Sequence, residues 1–288
     1  MTHQLGELLK WGKEVLKDAG LEDYDISAEF LLGAVLNLNR SQLLLNPDSK
    51  INSADHDKYK ELINKRARYV PLQYIIGWVE FYDVKLQIDK RALIPRPETE
   101  ILVETVIQKL RGVPSPAILD IGTGSGNITI ALAKNIARSN VTGIEISEEA
   151  LELARSNAKI NSVENSTHWI CGDIKDDNFI KSLGMFDCVV SNPPYVTLKE
   201  KESLQREVIE HEPHIALFSG DDPFIFFRTI IRNSLYILKP GGVLAFEVGL
   251  GQAGDVSELM KANFNKIDSV RDLAGIERVV TGIYDWPG

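Results

Sequence analysis

Residues 118–127 read ILDIGTGSGN, and this stretch decides how the rest of the chain is interpreted. Its first four residues are typical of a buried strand, and the glycines at 122, 124 and 126 predict a sharp turn that opens into a helix. Glycine is required where the backbone turns tightly and approaches a ligand without an intervening Cβ. The stretch therefore predicts a ligand-binding turn at the beginning of an α/β domain.

Strands and helices alternate on the C-terminal side of this turn. Apolar runs predict strands at 117–121, 141–146, 167–171, 186–191 and 243–248. Amphipathic stretches predict helices at about 98–110, 127–138, 148–160 and 224–238, and an edge hairpin is predicted at about 266–271 and 277–281. Regular alternation of this kind predicts a parallel sheet that is covered by helices on both faces.

The N-terminal quarter of the chain has a different character. Residues 1 to about 75 carry apolar side chains at helical spacing, which predicts a small helical bundle. Its third predicted helix, at about 53–68, carries the five cations Lys58, Lys60, Lys65, Arg66 and Arg68. These form either a solvated helix face or a docking patch for a partner. The stretches 74–77 and 81–88 alternate as strands do, and predict a hairpin linker between the two parts.

The composition is that of a soluble globular protein. The chain has 288 residues, of which 44% are hydrophobic and 25% charged, and its net charge is −9. This acidic balance disfavours a protein that binds nucleic acid mainly through its phosphates. No signal peptide and no apolar run of membrane-spanning length is visible, which predicts a cytoplasmic protein. Cys171 and Cys188 lie in apolar, strand-like segments and are predicted to be buried, reduced thiols.

The glycine spacing indicates which ligand the turn at 122–126 binds. It is G-x-G-x-G, whereas a dinucleotide-binding turn has G-x-G-x-x-G, so a nicotinamide dehydrogenase is disfavoured. The acid beside the turn, Asp120, suits S-adenosylmethionine, which carries an amino group and a sulfonium. Glu145 ends the second predicted strand and can accept both ribose hydroxyls. Asp173 follows the third strand and can accept the adenine amino group, and together these features predict an S-adenosylmethionine site.

Residues 192–195 read NPPY and follow the predicted strand 186–191, at the end where open α/β sheets bind ligands. The two prolines stiffen the turn and leave carbonyl oxygens directed outward. The side-chain oxygen of Asn192 and the carbonyl of Pro193 form a pair of acceptors for an NH2 group, and Tyr195 offers a ring for stacking. Holding a planar nitrogen in this way aims its lone pair at a methyl donor. The tetrapeptide therefore predicts methylation of an amide or aromatic amino nitrogen.

The chain resembles, essentially end to end, the HemK/PrmC family of N5-glutamine methyltransferases of peptide chain release factors. The most family-specific match is LIPRPETE at 93–100, since NPPY alone is shared with amino-methylating DNA enzymes. The other matching stretches are PLQYIIG at 71–77, the turn at 120–126, NPPY at 192–195, Glu212-Pro213 followed by Ala216-Leu217, KPGG at 239–242 and DLAG at 272–275.

The resemblance implies a fold, a reaction and partners. The fold is α/β: a Rossmann-like, seven-stranded S-adenosylmethionine-dependent methyltransferase domain at 98–288, preceded by a helical release-factor-docking domain at 1–75 and a β-hairpin linker at 76–97. The substrate is the glutamine of the Gly-Gly-Gln motif in peptide chain release factors 1 and 2, which supports translation termination. S-adenosyl-L-methionine donates the methyl group and S-adenosyl-L-homocysteine is the product. A cytoplasmic monomer is expected, with no metal, no membrane association and no direct nucleic-acid substrate.

The family motifs and the residue chemistry together assign the site residues. The predicted cofactor-binding residues are Asp120, Gly122, Thr123, Gly124, Ser125, Gly126, Glu145, Asp173, Ile174 and Asn192. The predicted substrate-binding residues are Arg96, Asn192, Pro193, Pro194 and Tyr195, and among them Asn192, Pro193 and Tyr195 are assigned to catalysis. Arg96 and Glu98 are expected to lie beside the active site and to shape the pocket.

The sequence departs from the family pattern at two places. Ile174 stands where an aromatic residue often follows the acid, which predicts aliphatic packing against adenine, and the loop 216–223 (ALFSGDDP) has an unusual form.

Two alternatives to a protein methyltransferase are weighed. A DNA adenine-N6 or cytosine-N4 methyltransferase needs a recognition domain and a basic face, and a non-catalytic binding module would not need Asn192 or the turn glycines. The spacing of His211 and His214 could suggest a metal site, but no third ligand accompanies them.

Overall fold

The structure, a computed structural model, describes residues 3–286. Met1, Thr2, Pro287 and Gly288, which fall at the ends of the predicted domains, lie outside the described residues. Contacts divide the chain into two units. The N-terminal unit contains the chain up to Gly77 together with Leu204–His211, and the C-terminal unit contains Trp78–Ser203 and the chain from Glu212 onward. The functional division at 1–75, 76–97 and 98–288 stays a prediction.

The N-terminal unit is built mainly from helices, because its apolar residues recur at the period of a helix face. Its elements are β1 (His3–Gln4), α1 (Leu5–Asp18), α2 (Tyr24–Leu36), α3 (Arg40–Leu45), β2 (Lys50–Ile51), α4 (Ser53–Arg66) and α5 (Leu72–Ile76). Leu16, Leu31, Leu32, Tyr59 and Ile63 are fully buried in its core. Since burying one large apolar side chain contributes about 1.5–3 kcal/mol, this core accounts for the stability of the bundle.

One prediction about this region was wrong. The segment 74–77 is not a strand: it is the end of α5, which terminates at Gly77 with a φ of 84°. A short apolar run does not distinguish a buried helix turn from a strand.

Among the cations of the predicted third helix, Arg66 belongs to neither a solvated face nor an exposed patch, because it is only 3% exposed. It donates hydrogen bonds to Asp23 Oδ1 at 2.9 Å and to Ser27 Oγ at 3.0 Å, and it forms an ion pair with Glu207.

The C-terminal unit alternates strands and helices. In chain order its elements are β3 (Trp78–Phe81), β4 (Val84–Gln87), α6 (Thr99–Lys109), β5 (Ala117–Ile121), α7 (Asn127–Asn135), β6 (Asn140–Glu145), α8 (Glu148–Ile160), β7 (Thr167–Cys171), α9 (Asp177–Ser182), β8 (Phe186–Ser191), β9 (Val196–Thr197) and a 3-10 helix (Leu198–Ser203). After α10 (Arg206–His211), which belongs to the N-terminal unit, come α11 (His214–Leu217), β10 (Phe218–Gly220), α12 (Ile225–Ile237), β11 (Leu238–Glu247), α13 (Ala253–Met260), β12 (Phe264–Arg271) and β13 (Glu277–Tyr284).

Seven of these strands form one sheet in the order β12-β13-β11-β8-β5-β6-β7. The neighbouring strands β7, β6, β5, β8 and β11 run parallel to one another. β13 lies antiparallel between β11 and the edge strand β12. This confirms the predicted seven-stranded α/β fold and its terminal edge hairpin. Each face has its own apolar core: α6, α7 and α8 pack on one face together with β3 and β4, and α9, α12 and α13 pack on the other.

The hairpin β3–β4 lies within the predicted linker and is part of the C-terminal unit. Phe81, Val84 and Leu86 are buried in the core that it shares with α6 and α7. Asn157 of α8 and Asn161, which follows this helix, fix the backbone of the hairpin: Asn157 bonds both the N–H and the carbonyl of Gln87, and Asn161 does the same for Lys85. The residues that lead from the hairpin toward Arg96 therefore start from a fixed position.

The two cysteines differ in exposure. Cys188 is fully buried in β8, as predicted, and burial raises the pKa of its thiol. The prediction for Cys171 was wrong, since it is exposed and its Sγ lies 3.6 Å from the carbonyl oxygen of Ile146. The reason is that β7 lies at the edge of the sheet, which the apolar pattern of a single strand does not reveal. Throughout 3–286, no helix has both the length and the apolar character needed to cross a membrane.

Candidate active site

A cavity of about 340 Å³ opens at the carboxyl ends of β5, β6, β7 and β8. Parallel strands end at one edge of the sheet, so the residues that follow them converge there. The cavity brings together most of the predicted site residues, although they come from five separate stretches of sequence. Those that line it are Arg96, Gly122, Thr123, Gly124, Ser125, Glu145, Asp173, Ile174, Asn192, Pro193 and Pro194.

The glycine turn forms one wall of this cavity. Gly122 and Gly124 have φ angles of 75° and 54°, which a residue with a Cβ adopts only with strain. The third glycine, Gly126, does not line the cavity. Its φ is 84°, and a Cβ placed there would lie 2.8 Å from the ring of Trp169 and 3.1 Å from Ala154. Gly126 is therefore required for packing beneath the turn.

Asp120, which was predicted to contact the cofactor, lies beneath the turn and does not line the cavity. Its side chain is fully buried, and its Oδ2 accepts hydrogen bonds from the hydroxyls of Thr123 at 2.6 Å and Thr129 at 2.8 Å. Burial raises the pKa of the Asp120 carboxyl to about 6, although the two hydroxyls oppose this shift. The side chain thus ties the turn to the first turn of α7.

The two other predicted acids do line the cavity. Glu145 Oε2 accepts from the backbone N–H of Gly124 at 3.1 Å, and its Oε1 accepts from Ile146 and Ser147 at 2.8 and 3.1 Å. Asp173 Oδ1 accepts from the N–H of Lys175 at 2.8 Å. Both carboxyls are therefore oriented by the backbone at the ends of β6 and β7.

The structure adds an aromatic residue that the sequence analysis missed. Phe226 and Ile230, one helical turn apart on α12, line the same cavity as Ile174. The ammonium of Lys175 lies 5.3 Å from the centre of the Phe226 ring. An apolar i, i+4 pair on the helix after the loop 216–223 was the available signal. An aromatic side chain thus reaches the cavity from α12, whereas the sequence predicted only aliphatic packing, from Ile174.

The NPPY stretch divides between the cavity and the protein interior. Asn192, Pro193 and Pro194 line the cavity, whereas Tyr195 does not. The Tyr195 hydroxyl donates to Glu247 Oε1 at 3.4 Å, and burial raises the pKa of this phenol. The Asn192 amide donates from Nδ2 to the hydroxyl of Thr99 at 3.3 Å. Stacking of Tyr195 on the acceptor is therefore not evident in this geometry.

Arg96 reaches the cavity from the LIPRPETE stretch. Its Nη2 donates to Glu212 Oε1 at 2.6 Å, and Glu212 Oε2 accepts from the N–H of Ile94 at 3.1 Å. Glu98 does not line the cavity, and its Oε1 lies 3.9 Å from Arg278. Glu212 was missed as a site residue because nothing local in sequence shows that a buried acid so distant along the chain is the partner of Arg96.

Neither His211 nor His214 lines this cavity. His214 packs edge-on against Phe218, and His211 Nε2 lies 3.3 Å from the carbonyl of Arg68 in the N-terminal unit. Over the part of the chain that the structure covers, no three His, Cys, Asp or Glu side chains are grouped so as to hold a metal ion.

Comparison with known proteins gives consistent matches over most of the chain. The family described as PrmC N-terminal domain matches residues 7–77, and the one described as methyltransferase small domain matches 97–222. A release factor glutamine methyltransferase of Fusobacterium nucleatum is 40% identical over 271 residues, covering 93% of this chain and 75% of the relative. One of Clostridium botulinum is 36% identical over 277 residues, covering 96% and 98%.

The solved structures support the fold. A methyltransferase from Pyrococcus furiosus superposes with a TM-score of 0.50 at 17% identity, covering 70% of this chain and 90% of that one. At this level of identity the likeness concerns the fold alone.

Proposed function

Because the chain belongs to the family of release factor glutamine methyltransferases, we propose that it transfers a methyl group from S-adenosylmethionine to the side-chain amide nitrogen of the glutamine in the Gly-Gly-Gln motif of peptide chain release factors. The observation that carries this proposal is the shared cavity: the glycine turn and the NPPY stretch line one space, so a bound cofactor and an acceptor amide can meet. Substrate and donor held together in this way react as an intramolecular pair.

The residues around the turn fit S-adenosylmethionine. A cavity of about 340 Å³ is within the range of small-molecule sites, and Gly122 and Gly124 leave room for close approach of the ligand. The Glu145 carboxyl would accept from the ribose hydroxyls, while Ile174 and Phe226 would provide apolar surface for the adenine. When bound, the cofactor supplies an electrophilic methyl group on its sulfonium. The protein has to hold it, exclude water and present the acceptor nitrogen.

The acceptor amide would be held by the NPPY stretch. We assign its two N–H groups to the side-chain oxygen of Asn192 and the carbonyl oxygen of Pro193. Accepting both N–H bonds orients the amide and raises electron density on its poorly nucleophilic nitrogen. No strong general base is required, because the nitrogen loses a proton readily once it is alkylated. Arg96 and Pro194, on the same wall, would shape the entrance for the segment that carries the glutamine.

The finer features of the function are part of the same proposal. The substrates would be release factors 1 and 2, and the N-terminal unit would dock them. The enzyme would act as a monomer in the cytoplasm. The −9 net charge supports a protein substrate over duplex DNA, since a DNA methyltransferase must grip a polyanion.

The test is methyl transfer from labelled S-adenosylmethionine to a release factor, alongside a variant in which the glutamine of its Gly-Gly-Gln motif is replaced by alanine. We expect label in the first protein and none in the second. Equal labelling of both would refute the glutamine assignment. Duplex DNA serves as a third substrate, and its labelling in place of the release factor would identify a DNA methyltransferase.

A further inference from the structure

We propose that Thr99 and Glu247 are positioning residues that fix the orientation of the Asn192 amide, so that Asn192 presents its oxygen, and not its NH2 group, to the acceptor. The inference rests on the proposed function and adds two residues to its machinery. Neither residue was singled out from the sequence for this role. Thr99 belongs to the LIPRPETE stretch. Apart from Thr99, only Arg96 of this stretch has a proposed role at the acceptor site.

The fold places these side chains together. β8 and β11 are neighbouring parallel strands in which Ser191 pairs with Phe246, so Asn192, which follows β8, lies beside Glu247, the last residue of β11. Thr99 begins α6, lines the cavity and is only 1% exposed. Its hydroxyl accepts the Nδ2–H of Asn192 at 3.3 Å. All of these contacts lie within the C-terminal unit.

An asparagine amide needs such a contact because its two ends have nearly the same shape. Rotation by 180° exchanges an acceptor for a donor with little change in packing. If Nδ2 faced the acceptor, two N–H donors would oppose each other and the substrate amide would lose its partner. The Thr99 hydroxyl selects the productive orientation only when it accepts from Asn192. A hydroxyl can both donate and accept, so its own proton must go to another group.

Glu247 is the group that takes this proton. Its carboxyl is 3% exposed, and Oε1 accepts from the Tyr195 hydroxyl at 3.4 Å. Oε2 is buried with no hydrogen-bond partner among residues 3–286. A buried carboxyl oxygen is costly to leave without a donor. The Thr99 hydroxyl is near enough to lower the pKa of this carboxyl, and turning its proton toward Oε2 supplies the missing donor. The direction of donation then runs from Asn192 to Thr99 and from Thr99 to Glu247.

The charges around Glu247 set when it acts as a pure acceptor. Burial raises the pKa of Glu247 to about 7, and the negative charge of Glu98 adds to this rise. The hydroxyls of Thr99 and Tyr195 and the charge of Arg278 act in the opposite direction and lower the pKa. An ionised carboxyl only accepts, whereas a protonated one also donates and no longer forces the Thr99 proton toward itself. Tyr195, which does not line the cavity, thereby gains a role as a second donor that holds Glu247 in place.

Two variants of Thr99 separate positioning from packing. Thr99→Val keeps the shape of the side chain but removes the hydroxyl, and Thr99→Ser keeps the hydroxyl. We expect Thr99→Val to lower kcat about 10- to 100-fold, less than the 100- to 1,000-fold lost with a direct donor. KM for the release factor, the Kd of S-adenosylhomocysteine and the Tm should stay close to wild type. Thr99→Ser should restore most of the rate.

Glu247→Gln gives a second readout that packing alone would not change. Wild-type kcat should rise with pH through about 7, as Glu247 ionises, and the variant should lose this dependence. If Thr99→Val turned over at the wild-type rate, the inference would be overturned and the proposed function would stand. The same holds if a lower Tm and weaker cofactor binding accounted for its slower turnover. A wild-type protein that does not label the release factor would overturn both.

Discussion

Arg96 and Glu212 form an ion pair across 116 residues of sequence, with Nη2 of Arg96 2.6 Å from Oε1 of Glu212. The Glu212 side chain is 1% exposed, while that of Arg96 is 34% exposed. The second oxygen of Glu212 accepts from the backbone N–H of Ile94. One buried carboxyl therefore fixes both the guanidinium and the backbone of the stretch that forms this wall of the cavity.

Replacement of Glu212 by glutamine should weaken this wall. The amide retains an acceptor but loses the charge that holds Arg96, so we expect a loss of about 1–3 kcal/mol in the free energy of unfolding, moderated by the exposure of Arg96. Turnover of the release factor should fall as well. The matched control is Glu210→Gln. Glu210 pairs with Arg206, which lies one helical turn away and is exposed to solvent. Urea unfolding and methylation assays measure both effects, and equal behaviour of the two variants would contradict the assigned role.

Replacement of Asn192 by alanine tests the acceptor site directly. Because the side-chain oxygen of Asn192 is assigned to one N–H of the substrate amide, we expect kcat to fall by at least about 100-fold. Binding of S-adenosylhomocysteine, measured by calorimetry, should largely survive, since the glycine turn and Glu145 are unchanged. Full activity in this variant would remove Asn192 from the mechanism.

Asp120 predicts a specific pH dependence of stability. Its pKa is raised from 3.8 to about 6 in the folded protein, so the folded state holds a proton that the unfolded chain loses above pH 3.8. The stabilisation is complete below pH 3.8 and is lost as pH rises through 6, which lowers the free energy of unfolding by about 3 kcal/mol. Denaturant unfolding of wild type and Asp120→Asn from pH 4 to 7 isolates this contribution. The stability of the wild type should fall by about 3 kcal/mol relative to that of Asp120→Asn as pH rises, and parallel curves would show that Asp120 does not titrate in this range.

Gly122 and Gly126, two glycines of the turn, should respond differently to alanine. At Gly122 a Cβ meets no heavy atom of the described chain within 4 Å, so only the strain of the positive φ remains, about 1–2 kcal/mol. At Gly126 the same strain is joined by overlap with Trp169, Ile130 and Ala154, which adds about 1–3 kcal/mol. Thermal unfolding of the two variants should rank Gly126→Ala below Gly122→Ala. The opposite order would contradict the packing described beneath the turn.

Arg66 and its neighbour Lys65 form a matched pair in the N-terminal unit. Arg66 is buried between Asp23 and Glu207, whereas Lys65 is 52% exposed and pairs with Glu61 on the helix surface. Arg66→Ala should cost about 2–4 kcal/mol, because it leaves two acids without their common partner, and Lys65→Ala less than about 0.5 kcal/mol. Hydrogen exchange should show loss of protection in 204–211 only for Arg66→Ala. Unchanged protection there would indicate that Glu207 is held by other contacts.

The sequence was sufficient for the sheet and for the positions that converge on the cavity. Runs such as 117–121 and 186–191 are mostly apolar, and a buried parallel strand has this pattern. The direction of individual side chains was not predictable in the same way. Asp120 and Tyr195 were predicted to contact the ligands, but their side chains point into the interior. The hydroxyls of Thr123 and Thr129 hold Asp120 there, and Glu247 holds Tyr195. Motifs fix the residue type, and packing from distant elements fixes where the side chain points.

The polar site residues that the sequence did not reveal have one feature in common. Thr99, Glu212 and Glu247 are buried polar groups whose partners lie far away in sequence, so no local period reveals them. A signal did exist for Glu247, which ends a buried strand just as Glu145 does. An acid at the carboxyl end of a parallel strand is a reason to expect a polar role at that edge of the sheet.

Leu204–His211 belongs to the N-terminal unit, although the residues on both sides of it in the sequence belong to the C-terminal unit. The polypeptide consequently crosses between the units at Gly77 and again on both sides of this segment, so the boundary is not a single hinge in the sequence. A gene fragment starting at Trp78 would encode α10 without the helices it packs on. The N-terminal part is thus not a detachable module, and a chimera made by exchanging it between relatives would keep this contact only if the donor also supplied a cation for Glu207.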